Sequence, residues 1–501
     1  MTSRTKTRSV SGSQWRLICL VSIALAAGAC TSGRSARTST EPTQDVARAG
    51  SEQVPGNGGE AQEEGEALQE RIDAFEEAKA NGTAGVAEPV TSSPATGWTG
   101  EHVVDAATDD WEPAIAADPN GPYVYLLVTR IGEPKPCPGN CPSAFMGLQR
   151  SADGGKTWRK VTPLCACKGS WQYDPMIEVV PDTGDVYAAY LNGFNTVFLK
   201  STDHGKTWSA PVSTYGNVSW TDKPALAMSD DGRDVYISFN GPTGGDPFVA
   251  QSHDFGKTWT QTKLVDSKRY YFAFDADVLR DGTILFAESS IDYSGPATSP
   301  VGVVKHVAFI SHDRGKHWSQ VVVDTVDVGE PCTSAGCSPD FYIGHEGVSA
   351  DNQGHLVYLY DGATIEFGPQ RIYARTSGDE GATWSSRTAL SVAGENATTP
   401  AVEQIGNGDA RAWYMQTGNG DAPDSWNVWY RSSNDGGKTW SAPVKLSDAT
   451  SGAGYKSADG FDEVYGDYGE ICITSAGKAI AAWGEGFSWT GPGGVWVNRQ
   501  I

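Results

Sequence analysis

Acidic side chains recur along this chain in the company of aromatics. Asp110 or Glu112, Asp174, Asp222, Asp275, Glu346 and Asp467 each stand beside one or more of Trp111, Trp171, Tyr173, Trp220, Tyr271, Tyr342, Tyr465 and Tyr468. Carboxylates accept hydrogen bonds from sugar hydroxyls, and aromatic faces pack on the C–H surfaces of sugars, so this pairing suits a glycan site. The same residues serve architecture equally well, with the acids bonding backbone N–H groups and the aromatics filling gaps. Which role applies depends on the elements that carry them.

Those elements are set by an internal repeat. The pattern Ser-x-Asp-x-Gly-x-Thr-Trp begins six times, at Ser151, Ser201, Ser252, Ser311, Ser377 and Ser433, with His317 in place of Thr in the fourth copy. In each copy the Asp carboxylate can accept from N–H groups of its own turn, Gly supplies a positive φ, and Trp wedges between neighbouring sheets. The box is therefore a hairpin staple and its Asp is structural. Two strand-like runs precede each box, as in Asp222-Lys223-Pro224-Ala225-Leu226 and Val235 to Phe239, so each repeat reads as a four-stranded meander with the box between strands three and four. Counting first strands gives seven units, with six as the alternative. The last lacks a box and a fourth strand, and residues 97–105 resemble 439–447 closely enough to supply that strand and close a ring. The fold expected is all-β: a single, most simply seven-bladed β-propeller over 97–501, closed by an N-terminal strand.

A meander fixes which loops share a face. The starts of first strands lie opposite the boxes, together with long loops at 131–143, 164–173, 291–302, 326–344, 418–426 and 484–493, and this is the expected functional face. Cys137 and Cys141 lie in one such loop and Cys165 and Cys167 in the next. Two cross-linking disulfides or a four-thiolate zinc site fit them, the disulfides being favoured in an oxidising compartment. Cys332 and Cys337 are placed for a local bridge, and Cys472 reads as a buried thiol in an inner strand.

These boxes resemble those of the sialidase-like superfamily, the bacterial neuraminidase repeats, over roughly 97–501. The resemblance implies the propeller fold, on which glycosidases, receptors and assembly factors are all built. It also implies residue roles. Gly466-Asp467-Tyr468-Gly469-Glu470-Ile471 resembles the segment carrying the tyrosine nucleophile, and His345-Glu346-Gly347-Val348 the segment carrying its Glu partner, so Tyr468 and Glu346 are the catalytic candidates of an exo-α-sialidase-like enzyme. The three carboxylate-binding arginines have no such match. Trp111-Glu112-Pro113 stands where the first is expected, and Tyr360-Asp361 where another is. Arg130, Arg269 and Arg371 lie on the same face and are the remaining candidates for a carboxylate clamp. Candidate ligand contacts are Asp174, Asp222, Asp275, Asp467, Trp171, Trp220, Tyr271 and these three arginines.

The N-terminus reads as an export signal. Arg4, Lys6, Arg8 and Arg16 precede a short apolar run ending in Ala27-Gly28-Ala29-Cys30, which resembles a lipobox with Cys30 as the lipidated residue. Residues 1–29 are thus expected to be a signal peptide. Residues 30–96, rich in Ser, Thr, Gly, Pro and Glu, are expected to be a flexible tether with a short helix near 63–80. The formal net charge is −23, which disfavours nucleic acid and anionic lipid surfaces. The expectation is a monomeric, exported, membrane-anchored or secreted propeller that recognises a glycan or surface protein. A glycosidase and a structural envelope lipoprotein are the alternatives. No cofactor or metal is required; calcium at the acidic mouth is an option that no loop motif calls for.

Overall fold

The computed structural model describes residues 77, 80–81, 93–105, 109–131, 144–164, 171–218, 221–241, 245–295, 299–329, 344–417, 426–447, 456–457, 460–461, 469–486 and 493–501. Of the helix expected near 63–80, Glu77 and Ala80 are described, and both are helical and exposed. Cys30 and the rest of the leader lie outside the described residues.

Seven four-stranded antiparallel sheets are formed, as the count of first strands predicts. The inner strands are Asp109–Ala117, Gln172–Val179, Asp222–Met228, Tyr270–Val278, Glu346–Ala350, Ala397–Ile405 and Glu470–Ile473, numbered here as blades 1 to 7. Blade 3 shows the unit: Asp222–Met228, Val235–Asn240, Pro247–Ser252 and Thr260–Lys263 pair in that order. Blade 7 takes its fourth strand, His102–Val103, from the N-terminal side, with His102 opposite Val497 and Val103 opposite Trp496. These two residues correspond to Val444–Lys445 of blade 6, the register the sequence alignment of the two segments gives.

The blades are held apart and together by period-two alternation. In the second strand of blade 5, Val357 and Leu359 pack towards blade 6 while Leu356, Tyr358 and Tyr360 pack towards blade 4. Each box Trp enters the cluster between its own blade and the preceding one, as Trp259 does between blades 3 and 2 and Trp384 between 5 and 4. Trp98, just before the closing strand, fills the same place between blades 7 and 6.

The boxes staple as their sequence implies. In the blade 3 box, Ser252 Oγ donates to Asp254 Oδ1 at 2.8 Å, Thr258 N donates to Oδ1 at 2.9 Å, and Thr258 Oγ1 donates to Oδ2 at 2.7 Å. The Thr258 bonds hold the Asp254 carboxyl down to about 2. His317 replaces the threonine hydroxyl with Nδ1, 2.5 Å from Asp313 Oδ2. The box glycine is needed twice over. Gly256 has φ +75°, and a Cβ built there would lie 2.1 Å from Phe198 Cε1 of blade 2.

Gly256→Ala should therefore cost about 2–4 kcal/mol, combining left-handed strain with overpacking. Gly282→Ala, at φ +89° in open space, should cost about 1 kcal/mol. Denaturant unfolding of both variants checks this, and equal losses would mean that close approach between blades does not select the glycine. Deleting the chain up to residue 105 removes the closing strand and Trp98. It should expose the Gly493–Arg499 edge, lower the unfolding temperature and give concentration-dependent association by size-exclusion chromatography.

Candidate functional site

At the end of the ring opposite the boxes, five inner strands shift register; the shift in blade 4, between Ala273 and Asp275, contains no proline, and the other four do. Those four fall between Trp111 and Ala114, Tyr173 and Met176, Asp222 and Ala225, and Thr398 and Ala401. Each of these four bulges holds an X–Pro pair whose first residue is left-handed: Glu112 (φ 54°), Asp174 (φ 49°), Lys223 (φ 47°) and Thr399 (φ 52°). Proline has no N–H to give the ladder, so a bulge is where an inner strand tolerates it. A positive φ is strained for these residues, most of all for β-branched Thr399.

The recurring acids at this end are mostly engaged by the fold. Glu112 Oε2 accepts from Thr129 Oγ1 at 2.5 Å and from Asp174 N, in blade 2, at 3.1 Å. Asp275 Oδ2 accepts from Val348 N of blade 5 at 2.8 Å, and Glu470 Oε2 accepts from Ile115 N of blade 1 at 2.7 Å. These carboxylates bridge successive inner strands, whose channel-side N–H groups have no ladder partner. Asp174 and Asp222 are buried within their blades.

Glu346 opens the inner strand of blade 5, and its side chain is fully buried. Its Oε1 lies 2.6 Å from His306 Nδ1, while its Oε2 meets no partner among the described residues. Burial raises the Glu346 carboxyl well above its usual range, helped by repulsion from Asp361 and Glu288, and burial lowers His306 to about 4. Both shifts favour the uncharged forms, so at neutral pH the contact is a carboxyl–imidazole hydrogen bond rather than an ion pair. Beside it, Asp361 Oδ2 accepts from Thr398 Oγ1 at 2.7 Å and lies 3.0 Å from His345 Nδ1. Tyr360 donates its hydroxyl to Asp324, which also pairs with Arg375 at 2.9 Å. Where the resemblance leads one to look for an arginine, Tyr360-Asp361 thus supports a closed polar network.

The three arginines are held by their own surroundings. Arg130 is fully buried, gripped bidentately by Asp110 at 2.6 and 2.5 Å and by Asp105 at 3.0 Å, which ties the closing segment to blade 1. Arg269 donates to Ser290 Oγ at 2.9 Å, Ser290 O at 2.7 Å and Val303 O at 2.5 Å. Arg371 donates to Ser391 O at 2.7 Å, while its Nε meets no partner among the described residues. They belong to blades 1, 4 and 5, and none lines the central cavity. Of the aromatics, Trp111 and Tyr173 fill the gap between blades 1 and 2 and Tyr271 the gap between blades 3 and 4, whereas Trp171 is 44% exposed. Asp467, Tyr468, Trp220, Cys137, Cys141, Cys165, Cys167, Cys332 and Cys337 lie outside the described residues, as does much of the long-loop face. Cys472 is a buried free thiol.

The axis holds what the sequence analysis missed. A channel of about 610 Å³ runs from His345, Glu346 and Thr399 to the turns after the inner strands, at Asp230, Asn352 and Gly477, on the box side. Glu178, Asp277 and Glu403 join Asp275 and Glu470 along it. Glu178 is open to the lumen and the others are half-buried, but the ring encloses that water and limits its screening. Enclosure, then repulsion from Asp275 and Asp277, pushes Glu178 up to about 8. Enclosure raises Asp275 to about 7, against its backbone hydrogen bonds, and Asp277 to about 6. The signal was present as acids at alternate positions deep in otherwise apolar inner strands, Asp275 with Asp277 and Glu403 in Ala401-Val402-Glu403-Gln404.

Residues 76–325 match the family model described as a BNR repeat-like domain. A sialidase of Bacteroides fragilis (strain YCH46) is 25% identical over 186 residues, which cover 34% of this chain and 28% of that protein. The chain thus spans well under two thirds of that relative. Among solved structures, a protein of unknown function from Dyadobacter fermentans DSM 18053 is 14% identical with a TM-score of 0.47, covering 81% of this chain and 99% of that one. The NanB sialidase of Streptococcus pneumoniae is 12% identical with a TM-score of 0.43, covering 83% and 70%. With six stapled boxes, a closed ring of seven sheets and the repeat match in place, the chain belongs to the sialidase-like superfamily of BNR-repeat β-propellers.

Proposed function

We propose that this protein is an exported propeller, lipid-anchored through Cys30, that recognises a glycan or surface protein on its long-loop face, and that a neutral glycan fits that face best. The observation that carries this reading is the engagement of Arg130, Arg269 and Arg371 within their own blades. Arg130 is buried and held by Asp110 and Asp105, and with the three arginines in blades 1, 4 and 5 and none lining the central cavity, a sialic acid carboxylate finds no shared clamp there. It would also meet an axis lined by carboxyl groups, at a like-charge cost. A neutral sugar meets neither obstacle, and exposed Trp171 offers it a stacking face.

A second reading, sialidase-type hydrolysis, is supported by Glu346 and by Gly469, the residue after Tyr468, both of which line the channel. It is supported also by the name of the Bacteroides relative.

A glycan array together with a fluorogenic sialoside assay separates the two. The expected result is binding to a neutral glycan, weakened by Trp171→Ala, with no sialoside turnover. Turnover that falls on the order of 10⁴-fold in Tyr468→Phe and drops sharply in Glu346→Gln would establish the enzyme instead. Mass spectrometry of the membrane-extracted protein should find a diacylated N-terminal Cys30, and an unmodified cysteine there would remove the anchor.

A further inference from the structure

The central channel collects buried polar oxygens that lack partners. Three buried oxygens along it have no partner among the described residues: Thr399 Oγ1, Glu346 Oε2 and Gln404 Oε1. Thr399 and Glu346 are only 3% and 4% exposed. The Gln404 amide nitrogen is already engaged, donating to Ser349 O and to His355 O at 3.0 Å, so its oxygen is the free end. Glu403 has no hydrogen bond or ion pair among the described residues, and Glu178 opens to the same lumen. Buried polar oxygens without partners are costly, and here they share one cavity.

The Gln404 oxygen and the ionised lumen carboxyls only accept, and the Thr399 hydroxyl can accept as well as donate, so the ligand this lining favours carries donors and positive charge. An ammonium group has three N–H donors and nothing else. Among the described residues no three His, Cys, Asp or Glu side chains stand close enough to share a metal ion. The acids are instead distributed along the axis. Asp275 and Asp277 sit two residues apart on one strand face, about 6.6 Å along it, a spacing that a short methylene chain between two ammonium nitrogens also spans. We propose that the central channel is a binding site for a linear aliphatic polyamine, held by Glu178, Glu403 and the Asp275–Asp277 pair with its nitrogens donating to the orphaned oxygens.

The charged groups around the site set the sign of its pH dependence. Besides those acids, Glu470 and Cys472 face it from blade 7, Glu346 and His345 from blade 5, and Asp230, Asp351 and Arg280 from the box-side turns. Enclosure raises the lumen acids, so they lose their protons late: Asp277 near 6, Asp275 near 7 and Glu178 near 8. Amine binding therefore strengthens as pH rises from about 5.5 to 8, while the amine remains protonated.

The test is isothermal titration of the full-length protein with spermidine at pH 8 and pH 5.5. One site per chain is expected at pH 8, weakened about tenfold or more at pH 5.5 and in Glu178→Gln/Glu403→Gln. The surface variant Asp266→Asn/Glu380→Gln removes the same charge from exposed positions outside the channel and should bind as the parent does. Equal weakening in both variants would reduce the effect to screening of an acidic surface and overturn the proposal. So would absence of a saturable site at pH 8, or calcium displacing spermidine one for one. The channel substitutions remove repulsion and should leave the unfolding temperature unchanged or higher. Should the double variant not fold, Glu403→Gln alone makes the same comparison.

Discussion

The ring depends on how His102 and Val103 pair with the last strand. Around that pairing, Thr99 N donates to Arg499 O at 2.9 Å, Val104 N to Val495 O at 3.1 Å and Ile501 N to Gly97 O at 2.8 Å. Without it, blade 7 would end on an open edge and the wedge between blades 6 and 7 would lose Trp98. The loop so closed is some four hundred residues long, but closure entropy grows only with the logarithm of length. A handful of backbone bonds and one buried indole suffice because six other blade interfaces already bring the ends together. Closure also reaches the mouth: Asp105, just past the closing strand, grips Arg130 of blade 1, and Glu470 of blade 7 receives Ile115 N of the same blade.

The inner-strand acids follow from that geometry. Seven inner strands converge on an axis without pairing to each other, so their N–H groups on that side need acceptors, and a carboxylate from the neighbouring strand supplies one. Such a bond contributes about 1.5–3 kcal/mol net. A second carboxylate about 7 Å away, at an effective dielectric near 20, costs about 2 kcal/mol. The terms nearly cancel, so the crowded acids can satisfy the backbone only by keeping a proton or by accepting a cation. Asp275 and Asp277 show both pressures at once: each accepts a backbone N–H from blade 5, yet each is raised rather than lowered.

Much of this was legible because it is periodic. The boxes fixed strand order, and Trp98 with residues 99–105 fixed ring closure, because local turn chemistry and a repeated wedge leave marks at constant spacing. The acids at the strand starts were legible as a set, though their role as bridges between blades was not, since it depends on which N–H groups a ring leaves unpaired. The arginines show the same limit of a sequence pattern. Lying on the expected face shows nothing about whether Asp110, Ser290 O or Ser391 O already holds the guanidinium. Glu178 and Glu403 leave no mark in the loops, because the channel is made of strand interiors.

The two ends of the axis therefore differ in chemistry although one set of strands builds both. Towards the long loops, bulges with left-handed X–Pro pairs turn acids sideways into the blades, and Glu346 is neutralised against His306. Below the bulges the strands regain period two, and alternate residues return to the lumen. A charged sugar approaching from the loops meets engaged arginines and buried, uncharged partners. A cation in the channel meets carboxyl groups that otherwise relieve their crowding by keeping a proton. The lumen acids divide in turn: Asp275, Asp277 and Glu470 each accept a backbone N–H from a neighbouring blade, whereas Glu178 and Glu403 face the channel without such a bond.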